Sequence, residues 1–158
     1  MFSVHSSFIS QQLDKVAYDL SGSLEKKGFK AYHQMASIGG VDQRYPVGLL
    51  SLKHLATKAG IGVLGRHSLL MTPQYGPRVR LTAIVTHSKL QPDKPISRDF
   101  CKECESPCIS LCPAKALKEP KGESPFEINR FACCQYLSTR PTCSICLKVC
   151  PVGTQRLR

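Results

Sequence analysis

Long apolar runs are missing from this sequence. No stretch approaches the roughly 18 consecutive apolar residues that cross a membrane as a helix. The N-terminus, Met1-Phe2-Ser3-Val4-His5, has neither the charged segment nor the apolar core of a signal peptide. We therefore predict that the protein has no membrane partner and is cytoplasmic.

Compact blocks of basic residues are also missing, although the chain as a whole is basic. It contains 22 Lys and Arg against 11 Asp and Glu, which gives a formal charge of +11. No run of about five or six basic residues occurs. Aromatic residues are not interleaved with basic ones as they are in single-strand-binding grooves. The charge therefore favours an acidic redox partner protein or a phosphate-bearing small molecule over nucleic acid.

Cysteine is absent from the first 100 residues, yet nine cysteines lie between Cys101 and Cys150. Nine is an odd number, and a disulfide framework is not expected in a protein that is not exported. Two runs contain most of them: Cys101-x2-Cys104-x3-Cys108-x3-Cys112-Pro113 and Cys143-x2-Cys146-x3-Cys150-Pro151. Cysteines at this density, in short turns that end before proline, are typical ligands of iron–sulfur clusters.

The two runs predict two 4Fe–4S clusters that share ligands between runs. The last cysteine of each run starts a helix that points away from its own cluster and reaches the other one. The second run is one cysteine short, so a ligand must come from upstream, where Cys133 and Cys134 are the candidates. We assign Cys133 and leave Cys134 spare. The predicted ligands are Cys101, Cys104, Cys108 and Cys150 for the first cluster, and Cys112, Cys133, Cys143 and Cys146 for the second.

Zinc is the alternative metal, since C-x2-C pairs separated by tens of residues also form four-cysteine zinc sites. Such a site needs two pairs, whereas these runs are longer and end in prolines. We therefore predict an iron–sulfur oxidoreductase, or the electron-delivering module of one. The alternatives are a non-catalytic, ferredoxin-type electron carrier with an N-terminal docking domain and a structural zinc protein.

Apolar periodicity and turn residues predict a mixture of helices and strands. The predicted helices cover 6–28, 49–59, 114–118 and 127–137, and the predicted strands cover 68–72 and 78–86. Gly28 is the expected C-cap of the first helix. Its large apolar residues are expected to pack in the core; they include Phe8, Ile9, Val16 and Leu20.

The segment Gln91-Pro92-Asp93-Lys94-Pro95 has the composition of a linker. It predicts a boundary between a first domain, residues 1–95, and a second domain, residues 96–158. The second domain is poor in long apolar runs, so we expect metal binding to be part of its folding.

A distinctive segment precedes the cysteines. Residues 54–70 read His-Leu-Ala-Thr-Lys-Ala-Gly-Ile-Gly-Val-Leu-Gly-Arg-His-Ser-Leu-Leu and continue Met-Thr-Pro-Gln-Tyr-Gly-Pro. This resembles the epoxyqueuosine reductases and the corrinoid-dependent reductive dehalogenases, which share A-G-[LI]-G-x-x-G-[RK]-x-x-L-L-x-x-P-x-x-G. Their upstream second-cluster ligand sits in a C-x-x-Y pattern, which Cys133-Cys134-Gln135-Tyr136 matches with Cys133 as the ligand. The resemblance covers residues 50–151.

The resemblance implies an α+β fold with two parts. A reduced nitroreductase-like, cobalamin-binding-type α/β domain is followed by a two-cluster ferredoxin-like domain. Electrons would pass through the clusters to a cobalamin or other bound acceptor, which reduces a small-molecule substrate. The cofactor-binding candidates are Gly60, Gly62, Gly65, Arg66 and His67, and the candidate catalytic residue is Asp42. Because the relatives carry a longer cofactor domain, we expect a second copy to complete it in a homodimer.

Overall fold

The structure, a computed structural model, describes residues 2–36 and 50–153. Within these ranges the chain is a mixed helix and strand protein, as predicted. Its strands pair in two-stranded antiparallel sheets. No helix in this part of the chain is long and apolar enough to cross a membrane. The domain boundary at residue 95 and the cytoplasmic location stay predictions.

The helices and strands are short apart from the first helix. The helices are α1 (Phe2–Lys26), α2 (Leu52–Lys58), α3 (Pro107–Ser110), α4 (Arg130–Thr139) and α5 (Ile145–Val149). The strands are β1 (Ala31–Gln34), β2 (Val63–Leu64), β3 (Leu70–Met71), β4 (Ala83–Thr86), β5 (Leu117–Lys118) and β6 (Glu127–Ile128). β1 pairs with β4, β2 with β3, and β5 with β6.

Gly28 ends α1 as predicted. Its φ of +84° is left-handed, a conformation that glycine adopts without steric cost. The Gly28 N–H donates to the Glu25 carbonyl at 2.9 Å, and the Phe29 N–H donates to the Leu24 carbonyl at 3.0 Å. These two bonds form a Schellman motif. The motif reverses the chain, so that β1 packs against α1.

The face of α1 that packs on β1 and β4 is formed by small residues. Ser10, Ala17 and Ser21 are buried there. The large apolar side chains point elsewhere: Phe8, Ile9, Val16 and Leu20 have 61%, 48%, 60% and 52% of their surface exposed. The expectation of packing in the core is therefore wrong for these four residues, whereas Ala17, which belongs to the same predicted apolar face, is buried as expected. The short sheet of β1 and β4 packs on the face of α1 whose small side chains let the backbones of helix and sheet come closest.

The helix predicted over 114–118 is also wrong. Lys115 has a left-handed φ of +47°, which interrupts a helix, and Leu117 pairs with Ile128 between β5 and β6. Leu117 is only 7% exposed, so the strand pairing places its side chain in the core. The other predicted helices and strands, over 49–59, 68–72, 78–86 and 127–137, occur as the shorter α2, β3, β4 and α4.

Two left-handed glycines let two distant turns touch through their backbones. Gly76 has φ +58° and Gly153 has φ +76°. A β-carbon on Gly76 would overlap the Val152 carbonyl, and one on Gly153 would overlap the Tyr75 carbonyl carbon. The chain that follows the second cysteine run is therefore held directly against the turn that follows β3.

This contact predicts a large cost for Gly76→Ala. The alanine would carry left-handed strain of about 1–2 kcal/mol, and its overlap with Val152 adds about 1–3 kcal/mol of overpacking. Gly122→Ala is the matched control, because Gly122 has a similar φ of +66° with nothing within 4 Å of a β-carbon. Urea unfolding of both variants measures the difference. Equal losses of unfolding free energy would show that the backbone contact is not formed.

Candidate metal centre

Four thiols from both cysteine runs come together in a first group. Cys101, Cys104 and Cys108 come from the first run, and Cys150 comes from the end of the second. Burial, together with the nearby Cys101, Cys104 and Cys150, raises the pKa of the Cys108 thiol to about 11. Helices α3 and α5 pack together, which brings the Cys150 end of the second run to the first.

A second group forms around α4. Burial, together with the nearby Cys133, Cys143 and Cys112, raises the pKa of the Cys146 thiol to about 11. Burial likewise raises the pKa of Cys133, followed by the effects of its chain neighbour Cys134 and of Cys112 and Cys143. The first group therefore contains one thiol from outside its main run, Cys150, and the second contains two, Cys112 and Cys133.

Backbone N–H groups donate to several of these sulfurs. The Arg66 N–H donates to the Cys101 sulfur, and the Val152 N–H donates to the Cys150 sulfur. The Leu147 N–H donates to the Cys146 sulfur. Each bond lowers the pKa of its thiol and partly offsets burial, because it stabilises the thiolate. The same donors favour metal binding, since the thiolate is the ligand.

Arg66 fixes the turn of the first run. Its Nη1 donates to the Ser106 hydroxyl and, at 3.4 Å, to the Cys104 carbonyl. It also lies 3.7 Å from Oε2 of Glu119. Ser106 is 3% exposed and has a left-handed φ of 55°, and Pro107 after it begins α3. The three residues between Cys104 and Cys108 are thus held in a defined turn.

Arg78 ties the second run to the same place, and sequence reasoning missed it. Its guanidinium donates to the Val152 carbonyl at 2.7 Å and to the Cys150 carbonyl at 2.6 Å. Its charge also lowers the pKa of Cys150. In the sequence Arg78 reads as one residue of an alternating strand. Its place directly after Gly76-Pro77 is the only local sign that it has another role.

The three predicted cofactor-binding glycines pack against the chain itself. A β-carbon on Gly60 would lie 2.6 Å from the Lys94 carbonyl oxygen, and one on Gly62 would overlap the Met71 carbonyl. A β-carbon on Gly65 would lie 2.8 Å from the Met71 side chain. Here the glycines allow close approach of β2 to β3 and of the loop to the linker. Their role in cofactor binding stays a prediction.

His67 is buried next to the first group. It is 3% exposed, and its Nδ1 accepts a hydrogen bond from the Leu69 N–H at 3.2 Å. Burial lowers its pKa to about 4, and the Arg78 charge acts in the same direction. The imidazole is therefore neutral at neutral pH. Its Nε2 is buried without a hydrogen-bond partner in the described part of the chain.

A cavity joins these residues. It is partly open to solvent, and its lining includes all four thiols of the first group. Its other walls are Arg66, His67, Met71, Phe100, Ser106, Pro107, Pro151 and Val152. In residues 2–36 and 50–153, no three His, Cys, Asp or Glu side chains converge as the ligands of a single metal ion do. The predicted ligand roles stay predictions, and Asp42 lies outside the described residues.

The sequence matches parts of longer reductases. It is 30% identical over 139 residues to a tetrachloroethene reductive dehalogenase of Sulfurospirillum multivorans, which is 78% of this chain and 26% of that protein. It is 34% identical over 117 residues to an epoxyqueuosine reductase of Prochlorococcus marinus (strain NATL2A), which is 63% of this chain and 35% of that protein. The chain thus spans about a quarter to a third of the length of these curated relatives. No protein-family model matches the sequence.

Solved structures show the same fold. A crystal structure of epoxyqueuosine reductase with an epoxyqueuosine-modified tRNA-Tyr stem loop gives a TM-score of 0.69 at 24% identity. The match covers 92% of this chain and 39% of that one. The structure of the Bacillus subtilis epoxyqueuosine reductase gives 0.66 at 24% identity, over 92% and 38% of the two chains. At this identity the likeness concerns the fold alone.

These matches define the class of the protein as homologous to parts of longer proteins that are named reductases. Within that class the chain is a homologue of the epoxyqueuosine reductases and the tetrachloroethene reductive dehalogenases. This confirms the resemblance carried by the segment from His54 to Pro77.

Proposed function

We propose that this chain is an iron–sulfur oxidoreductase, or the electron-delivering module of one, with two 4Fe–4S clusters. One observation carries the proposal: eight of the nine cysteines fall into two groups of four, each drawing at least one thiol from outside its main run. Crossed ligation of this kind is typical of two-cluster ferredoxin-like proteins. The proposed ligands are therefore Cys101, Cys104, Cys108 and Cys150 for the first cluster and Cys112, Cys133, Cys143 and Cys146 for the second.

The donor set fits a cluster better than a single ion. A 4Fe–4S cluster binds one thiolate at each of four irons, whereas zinc gathers its four ligands around one point. The thiols of the first group surround a shared cavity. When bound, the clusters would supply one-electron transfer. The chain buries Cys108 and Cys150, leaves the other cysteines half-buried, and donates N–H groups to Cys101, Cys146 and Cys150.

The net charge of the chain bears on the kind of electron donor that it attracts. The exposed groove beside Cys101 carries Arg98 and Lys102 together with Asp99 and Glu103, so its own charges balance, whereas the whole chain has a net charge of +11. A net positive charge attracts an acidic partner protein. We propose such a protein as the redox partner. The tRNA stem loop belongs to a relative, and nucleic acid is not proposed as a partner here.

We expect anaerobic reconstitution with iron and sulfide to give a brown protein with about eight irons and eight sulfides per chain. Cys104→Ser and Cys146→Ser should each leave about four irons, because each variant removes a ligand of a different cluster. Cys134→Ser is the matched control and should keep all eight, whereas Cys133→Ser should lose four. Iron and sulfide analysis with visible absorption before and after dithionite measures this.

The opposite results are equally definite. A colourless protein that binds two zinc ions would contradict the cluster proposal. Loss of iron in Cys134→Ser together with full content in Cys133→Ser would exchange the roles of the two residues.

The resemblance to the reductase families also implies a corrinoid that accepts electrons from the clusters. The described residues do not form an open cradle for it at the predicted site, because the chain itself covers Gly60, Gly62 and Gly65. The proposed electron transfer therefore involves the clusters and no corrinoid. The covered glycines favour the second candidate function, a ferredoxin-type carrier whose N-terminal part docks on another protein.

We expect hydroxocobalamin to keep its free absorption spectrum when it is titrated with the reconstituted chain, because the glycine faces are filled by protein. Visible absorption and equilibrium dialysis measure the binding. A one-to-one complex with a shifted cobalamin spectrum would contradict this expectation. It would favour a corrinoid-dependent reductase and remove the support for the second candidate, the carrier.

We further propose that the chain is a homodimer that covers the apolar stripe of α1. The stripe is formed by Phe8, Ile9, Val16 and Leu20, each about half exposed or more. Contiguous exposed apolar residues on a helix mark an interaction surface. We choose a second copy as the occupant because nitroreductase-like folds, which the sequence resembles, form dimers.

We expect light scattering to give twice the chain mass of 17.4 kDa. Val16→Glu should shift the protein to the monomer, since it places a charge in the apolar contact. Gln11→Glu is the control, because it makes the same charge change at an exposed position outside the stripe. A monomeric wild type, or equal dimerisation of both variants, would remove the α1 stripe as the interface.

A further inference from the structure

The imidazole of His67 has a defined tautomer. A ring nitrogen that accepts a hydrogen bond carries no proton, and Nδ1 accepts from the Leu69 N–H at 3.2 Å. The single proton of the neutral ring is therefore on Nε2. Lys53 donates to the Ser68 carbonyl at 2.8 Å, so the residue after His67 is also held in place.

The Nε2–H group is buried and has no acceptor among the described residues. A buried donor without a partner costs about 1–3 kcal/mol, and folded proteins rarely leave one. The absence of a β-carbon on Gly65 is what allows this burial, since such an atom would lie 2.9 Å from Cε1 of the ring. Close packing against Gly65 thus buries the imidazole at a position where its Nε2–H has no acceptor among the described residues.

The surroundings point to sulfur as the missing acceptor. His67 lines the cavity with Cys101, Cys104, Cys108 and Cys150. The charged side chain beside it on that wall, Arg66, is itself a donor and accepts no hydrogen bond. The Arg66 and Val152 backbone N–H groups already donate to sulfurs of the same group.

We propose that the Nε2–H of His67 donates a hydrogen bond to a sulfur of the first cluster, either a sulfide or a cysteine thiolate. The inference rests on the proposed function. Reduction adds negative charge to the cluster sulfurs, so an N–H···S bond strengthens on reduction and raises the reduction potential. His67 is a positioning residue that makes the first cluster easier to reduce, and it leaves the second cluster unaffected.

Two variants separate the two nitrogen positions. His67→Asn places an amide near the Nδ1 position, so it keeps an acceptor for Leu69 but does not reach the sulfur. His67→Gln places an amide N–H near the Nε2 position and keeps the donor. We expect His67→Asn to make one-electron reduction of one cluster about tenfold less favourable, which corresponds to about 59 mV. His67→Gln should stay near the wild type, and the other cluster is the internal reference.

Redox titration followed by electron paramagnetic resonance measures both potentials in the full chain. Pulsed resonance of the reduced wild type, labelled with nitrogen-15 histidine, tests the bond directly without a variant. We expect a histidine nitrogen coupling on one cluster, with an exchangeable proton, that is lost in His67→Asn.

The outcomes distinguish failure of the His67 hydrogen bond from failure of the two-cluster proposal. A wild type that takes up no iron and sulfide overturns both. A wild type with two clusters, no histidine coupling, and potentials equal to those of His67→Asn overturns the role of His67 alone.

Discussion

Crowding of buried thiols is the constraint on which the rest of this structure depends. Burial and neighbouring sulfurs raise the pKa of Cys108 and Cys146 to about 11, so their thiolate forms are costly without a positive centre. Cys108 and Cys150 are also among the few buried apolar residues of the described ranges. Metal binding at the proposed ligands would therefore involve the same side chains as the core, and each would support the other.

The segment that carries the family resemblance, His54 to Pro77, lines one side of the cavity that contains the first thiol group. Gly62 and Gly65 let β2 fold back on Met71 in β3. That turn brings the Arg66 N–H to Cys101 and the His67 ring to the cavity. The motif thus has a physical reason within this chain, which is close backbone packing beside the first thiol group.

The sequence predicts how the cysteines divide between two clusters, because ligand spacing in a short turn limits which sulfurs can meet, and this division stays a prediction. Gly28 was predictable for a similar reason, since helix ends follow local backbone preferences. Local patterns failed where distant partners compete. Leu117 was predicted to be helical but pairs with Ile128, and the large apolar face of α1 was expected in the core but is exposed.

The sequence by itself determined the chemistry: nine cysteines, their spacing, and the glycine and proline positions that make their turns. Tertiary structure alone decided what surrounds the sulfurs. Arg78 reaches Cys150 across 72 residues of sequence, and Arg66 reaches Ser106 across 40. His67 is a buried imidazole with a free N–H because it packs against Gly65 and accepts a hydrogen bond from the Leu69 N–H. Such contacts depend on backbone approach between segments far apart in the chain, which residue spacing does not encode.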